Sequence, residues 1–113
     1  MTIYHNPACS KSRAALALLT EKGVAPAVRL YLEEPPTVEE LERVLALLGM
    51  EPRALLRTGE AAYTELGLAD PALTREQLVA AVVAHPIVME RPIVLTHDRA
   101  VVGRPPERVL ELL

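Results

Sequence analysis

A short apolar run, Thr2-Ile3-Tyr4-His5, breaks at Asn6-Pro7 and gives way at once to an alanine- and leucine-rich helical pattern over residues 10–22. Ala14, Ala15, Leu18 and Leu19 make one face of that helix, and Gly23 supplies its C-terminal stop. Val28, Leu30 and Leu32 then alternate with Arg29 and Tyr31, which is strand periodicity. Strand, tight turn, helix and strand in so short a span predict a right-handed parallel crossover and an α/β fold.

The only cysteine of the chain, Cys9, falls on that first turn. Backbone N–H groups and the positive end of the helix dipole point at such a position. A free thiol is only ~3% thiolate at neutral pH, and half ionisation requires ~2 kcal/mol of help. A helix terminus typically supplies ~0.3–1 kcal/mol, so a nearby cation must add the rest. His5, Lys11 and Arg13 are the basic side chains within reach along the sequence. The polar, basic context favours a reactive thiol over a buried, inert one.

Beyond Glu33-Glu34-Pro35-Pro36, Thr37-Val38-Glu39-Glu40 forms a capping box ahead of the stripe Leu41, Val44, Leu45 and Leu48, and Gly49 ends that helix. Residues 52–57 and 60–66 read as short helices separated by Thr58-Gly59. Thr74-Arg75-Glu76-Gln77 is a second capping box, with Leu73 and Leu78 spaced as its hydrophobic staple, and that helix stops at His85-Pro86. Ile93-Val94-Leu95 and Ala100-Val101-Val102 flank His97-Asp98 as a hairpin, and Pro105-Pro106 opens a last short helix carrying Val109, Leu110 and Leu112. The order predicts a single domain over residues 1–113. It has a thioredoxin-like core (strand-helix-strand, then a strand hairpin and helix) and a central helical insertion over about 37–85.

The core of such a domain must be aliphatic, because the chain has no Phe or Trp and only three Tyr. A net charge of -3 gives no electrostatic case for nucleic acid or an anionic membrane. Only two of the twelve basic residues are lysine, and the arginine excess suits bidentate binding of oxyanions. One cysteine excludes an internal disulfide and a zinc-thiolate cluster, and neither His85 nor His97 has metal-ligand spacing with Cys9. No metal and no bound organic cofactor is expected. With no apolar stretch of membrane length and no export signal, a cytoplasmic protein is expected, and monomer is the default state.

Several stretches together carry a family resemblance. His5-Asn6-Pro7-Ala8-Cys9-Ser10-Lys11-Ser12-Arg13 resembles the active-site segment of the glutaredoxin-coupled arsenate reductases. Leu30-Tyr31-Leu32-Glu33, Arg53-Ala54-Leu55-Leu56-Arg57 and Tyr63-Thr64-Glu65-Leu66-Gly67-Leu68 resemble its middle motifs. His85-Pro86-Ile87-Val88-Met89-Glu90-Arg91-Pro92-Ile93-Val94 and Gly103-Arg104-Pro105-Pro106-Glu107 resemble its later ones, in order and at family-like spacing.

The resemblance implies a thioredoxin-like fold and a cysteine, here Cys9, that attacks arsenate and forms a thiol–arsenate adduct. It implies glutathione as co-substrate and glutaredoxin as partner in the reduction to arsenite. The family's three oxyanion-binding arginines match Arg57, Arg91 and Arg104, and its proline after the second arginine, usually cis, matches Pro92. Guanidinium groups can clamp a tetrahedral oxyanion and hold its centre near the sulfur. With no second cysteine, an external thiol must resolve the adduct.

The supporting residues leave alternatives open. His5 is read as a core or hydrogen-bonding histidine, or as an imidazolium that favours the thiolate. Ser12 either hydrogen-bonds the thiolate or is an ordinary helix-start serine. Asn6 orients the loop or merely forms a turn. Arg13 opposes the helix dipole, and pairs with an acid or touches the anion. A phosphatase-like Cys-x5-Arg signature is absent, because Ala15 stands where its arginine would. Two other functions remain in view. One is a glutathione-dependent thiol/disulfide oxidoreductase whose arginines recognise a carboxylate. The other is a non-enzymatic Spx-type regulator that binds RNA polymerase, against which the serine at position 12 counts, since it removes the dithiol such regulators often carry.

Overall fold

A computed structural model describes all residues, 1–113. Contacts divide it into two compact units: Met1–Glu34 with Arg91–Leu113, and Pro35–Glu90.

The first unit is built on a four-stranded sheet. Its strands are β1 (Thr2–His5), β2 (Ala27–Leu30), β3 (Ile93–Leu95) and β4 (Ala100–Val102). They lie in the order β2-β1-β3-β4. β1 runs parallel to β2 and antiparallel to β3, and β3 pairs antiparallel with β4. Helix α1 (Ser10–Glu21) makes the parallel crossover. This is the thioredoxin-like α/β arrangement expected from the element order.

Register explains the core. Ile3 pairs with both Val28 and Val94, and Val94 with Val101, so these four share one face. Ala15 and Leu19 of α1 and Val109 and Leu112 of the C-terminal segment pack onto the three inner members. That segment, Pro106–Leu112, is a 3₁₀ helix, opened by prolines that suit a helix start. Arg99 fastens its end by donating to the carbonyls of Glu111 and Leu112.

Two details differ from the sequence pattern. Ala14 is exposed, and the buried stripe of α1 is Ser12, Ala15 and Leu19. β2 ends at Leu30, where a turn begins, so the alternation does not reach Leu32. Tyr31 is buried there while Val28 and Leu32 remain exposed. Val28 lies on the edge strand β2 and outside the packed cluster that buries Val101 on the opposite edge.

The inserted unit contains α2 (Val38–Leu48), α3 (Ala61–Glu65) and α4 (Arg75–Ala84), with 3₁₀ turns at Pro52–Leu55 and Pro86–Val88. Both capping boxes form: Thr37 with Glu40, and Thr74 with Gln77. Gly49 closes α2 in the left-handed region, φ 66°, at no steric cost. α2 and α4 pack together through Leu41, Val44, Leu45, Leu78, Val79 and Val82. The unit continues past α4 because residues 88–90 pair back onto 55–57. Leu56 bridges Met89, Glu90 N–H donates to Leu55, and Arg57 N–H donates to Val88. That pairing carries the unit to Glu90, beyond the boundary that His85-Pro86 suggests.

Candidate active site

Cys9 is the N-cap of α1, with extended backbone (φ -96°, ψ 122°) and no side-chain cap hydrogen bond. No acidic residue stands in the first turn of α1. The first-turn amides are therefore claimed by no capping oxygen or acidic side chain, and they favour negative charge at the turn. The thiol is partly exposed.

The loop before it is tied at several points. Cys9 N–H donates to the Asn6 carbonyl at 3.0 Å, and the Cys9 carbonyl accepts from Arg13 N–H at 3.0 Å. Asn6 Oδ1 accepts from Ala8 N–H at 3.0 Å, the side-chain turn that asparagine favours. Of the two readings of Asn6, this bond is the turn. Arg13 Nη1 donates to the Pro7 carbonyl at 2.7 Å, so this arginine fastens the loop, a role outside both sequence readings.

Ser12 is fully buried beneath the turn. Its Oγ lies 2.6 Å from His5 Nδ1 and accepts from Asn6 N–H at 3.0 Å. Those bonds give the serine its partners in His5 and Asn6, outside both sequence readings. His5 is itself buried at the end of β1. Burial, and then the charge of Arg13, hold His5 below its ordinary value of 6.5. That shift favours the uncharged imidazole, and the Ser12 contact matches the reading of His5 as a hydrogen-bonding histidine.

Register brings two of the arginines to this end of the sheet. Tyr4 pairs with Ile93, and Ile93 with Val102. The residues just beyond those pairs are His5 and Asn6, Pro92 and Arg91, and Gly103 and Arg104. Gly103 N–H donates to the Pro92 carbonyl at 2.8 Å and locks the last two stretches together. The Arg91–Pro92 peptide is cis, and so is Arg104–Pro105, which sequence reasoning missed. Arg91 Nε and Nη1 are buried and have no hydrogen-bond partner. Buried donors ordinarily find acceptors, so these two are the unpaired donors at this end of the sheet.

Arg57 stands on the inserted unit, its backbone set by the Val88 hydrogen bond and its Nη1 2.8 Å from Glu60 Oε2. The pairing with Glu60 was not foreseen, although the i,i+3 spacing of opposite charges was its visible signal. No group of three or more His, Cys, Asp or Glu side chains could hold a metal ion, and no helix is long and apolar enough to cross a membrane.

Comparison with known proteins shows what the chain is similar to. The ArsC family model matches residues 4–112. The chain is 53% identical to the uncharacterized protein YfgD of Escherichia coli, over 98% of this chain and 94% of the other. It is 46% identical to an arsenate reductase of Neisseria meningitidis, over 98% of this chain and 96% of the other. Among solved structures, an arsenate reductase from Vibrio cholerae superposes with a TM-score of 0.96 at 52% identity, covering 100% of this chain and 98% of the other. A match that spans the strands, the cysteine turn and all three arginines identifies the chain as a member of the ArsC family.

Proposed function

We propose that this protein is an arsenate reductase that uses glutathione and glutaredoxin. The observation that carries the reading is the pair of buried, unpartnered donors on Arg91, at the same end of the sheet as the Cys9 turn. The names of the relatives support the choice of oxyanion.

Cys9 is the nucleophile. Its thiolate attacks arsenic, an As–O bond breaks, and that oxygen leaves as water. Arg91, Arg104 and Arg57 bind the oxyanion oxygens and offset the charge that gathers on them. The amides at the start of α1 face the turn that carries Cys9 and favour negative charge there. The neutral His5, held by Ser12, keeps the loop in place; it adds no positive charge. Since the chain has a single cysteine, external thiols must resolve the adduct. Two thiols supply two electrons and two protons, As(V) becomes As(III), and the thiols leave joined as a disulfide. Arsenite is the product, and Cys9 is regenerated.

The test is a coupled assay with arsenate, glutathione, glutaredoxin, glutathione reductase and NADPH. Arsenate-dependent NADPH oxidation is expected from the wild-type protein and none from Cys9→Ser. A folded protein that turns over mixed glutathione disulfides but not arsenate would replace this reading with that of a thiol/disulfide oxidoreductase.

A further inference from the structure

Glu60 occupies the N-cap of α3, where a carboxylate ordinarily accepts from the first amides of the helix. Its side chain makes no such bond. It turns back to Arg57 and accepts from Nη1 at 2.8 Å, with the two side chains only 22% and 24% exposed. The backbones of the pair are fixed as well. Glu60 N–H donates to the Arg57 carbonyl at 3.1 Å, and Arg57 N–H donates to Val88 at 2.7 Å. A carboxylate is thus held beside a guanidinium, on one of its donors, while the fork of that guanidinium offers several more.

We propose that Glu60 makes Arg57 charge-selective, admitting a singly charged tetrahedral oxyanion and disfavouring a doubly charged one. The inference rests on the reading of Arg57 as an oxyanion ligand. An oxyanion on Arg57 shares that cation with the Glu60 carboxylate. Repulsion between the two anions grows with the charge of the oxyanion, and in a part-buried setting solvent screens it only partly. Arsenate carries between one and two negative charges near neutral pH, so Glu60 selects between its two protonation forms. Glu60 acts through Arg57, which makes it a specificity-determining residue rather than a catalytic one.

The test compares two tetrahedral anions of fixed charge, sulfate and perchlorate, at constant ionic strength. Each is titrated into the isotope-labelled full chain, and its dissociation constant is read from the amide signals of residues 57–60. Glu60→Gln keeps an acceptor for Arg57 Nη1 but removes the charge. In this variant sulfate is expected to bind about tenfold more tightly and perchlorate about threefold, since each unit of like charge at a part-exposed site is worth a few-fold. Arg57→Gln is expected to weaken both anions. An equal change for the two anions in Glu60→Gln, no change, or weaker binding of both would overturn the charge selectivity while leaving Arg57 as a ligand. Unchanged sulfate affinity in Arg57→Gln would overturn the Arg57 reading and this inference with it. None of these outcomes depends on turnover.

Discussion

Ser12 Oγ and His5 Nδ1 lie 2.6 Å apart, both buried, and the same oxygen accepts the Asn6 amide at 3.0 Å. One hydroxyl therefore joins the end of β1, the loop and the first turn of α1. Ser12→Ala would leave the Asn6 N–H and the imidazole nitrogen without their partner at a largely buried site. Leaving buried polar groups unmade costs about 1–3 kcal/mol each, so a loss of that order or somewhat more is expected. Urea unfolding of the two proteins measures it. A variant as stable as wild type would show that Ser12 does not tie these elements together.

His5 makes stability depend on pH. Burial and then Arg13 hold its folded value below 6.5. The unfolded chain takes up this proton near 6.5, while the folded chain resists it to lower pH. Over that window the unfolded state binds more protons, so the contribution is fully present above 6.5 and is lost as pH falls toward the folded value. Urea midpoints at about pH 7.5 and about pH 5.5, for wild type and His5→Asn, isolate the effect from the carboxylates. The wild type should lose more stability on acidification than the variant. An equal loss would remove His5 as the source.

Much of both units is legible because the signals are local. The break at Asn6-Pro7, the caps at Thr37 and Thr74 and the hairpin around His97-Asp98 all depend on neighbours in sequence. What escaped depends on distant partners. The alternation through Leu32 fails because a turn after Leu30 buries Tyr31 instead. The fate of Ser12 could not be read, since a serine early in a helix fits solvent as well as a buried histidine. Arg13 illustrates the same limit: its acceptor is the Pro7 carbonyl, a backbone atom that residue types do not reveal. The candidate arginines are legible only through the family motifs, and the pairing of Glu60 with Arg57 only as an i,i+3 spacing of opposite charges.

Gly103 is required by close approach. A Cβ built there would lie 2.8 Å from Pro92 Cγ and 3.1 Å from Val109 Cγ1. Neither neighbour is the tip of a flexible side chain: Pro92 is a buried ring following Arg91, and Val109 is in the core. Gly103→Ala should cost about 1–3 kcal/mol through overpacking. Because Pro92 adjoins Arg91, oxyanion affinity should fall as well. Thermal unfolding and sulfate titration of the variant check the two effects separately. Wild-type values in both would mean that the corner yields without cost.

Arg91 should show stability and function moving in opposite directions. Its buried Nε and Nη1 have no acceptor within the protein. Replacing it with the similarly long but uncharged methionine removes both unsatisfied donors and keeps apolar contacts along the stem. Since an unmade buried hydrogen bond costs about 1–3 kcal/mol, Arg91→Met should be no less stable than wild type and up to about 1 kcal/mol more so. An oxyanion should reverse the order. A ligand at about 100 times its dissociation constant stabilises the protein it binds by about 2.7 kcal/mol. Adding sulfate or arsenate should therefore raise the urea midpoint of wild type and leave that of Arg91→Met nearly unmoved. If the variant is destabilised without anion, the guanidinium has a structural partner. If anion protects the two proteins equally, Arg91 is not the oxyanion ligand.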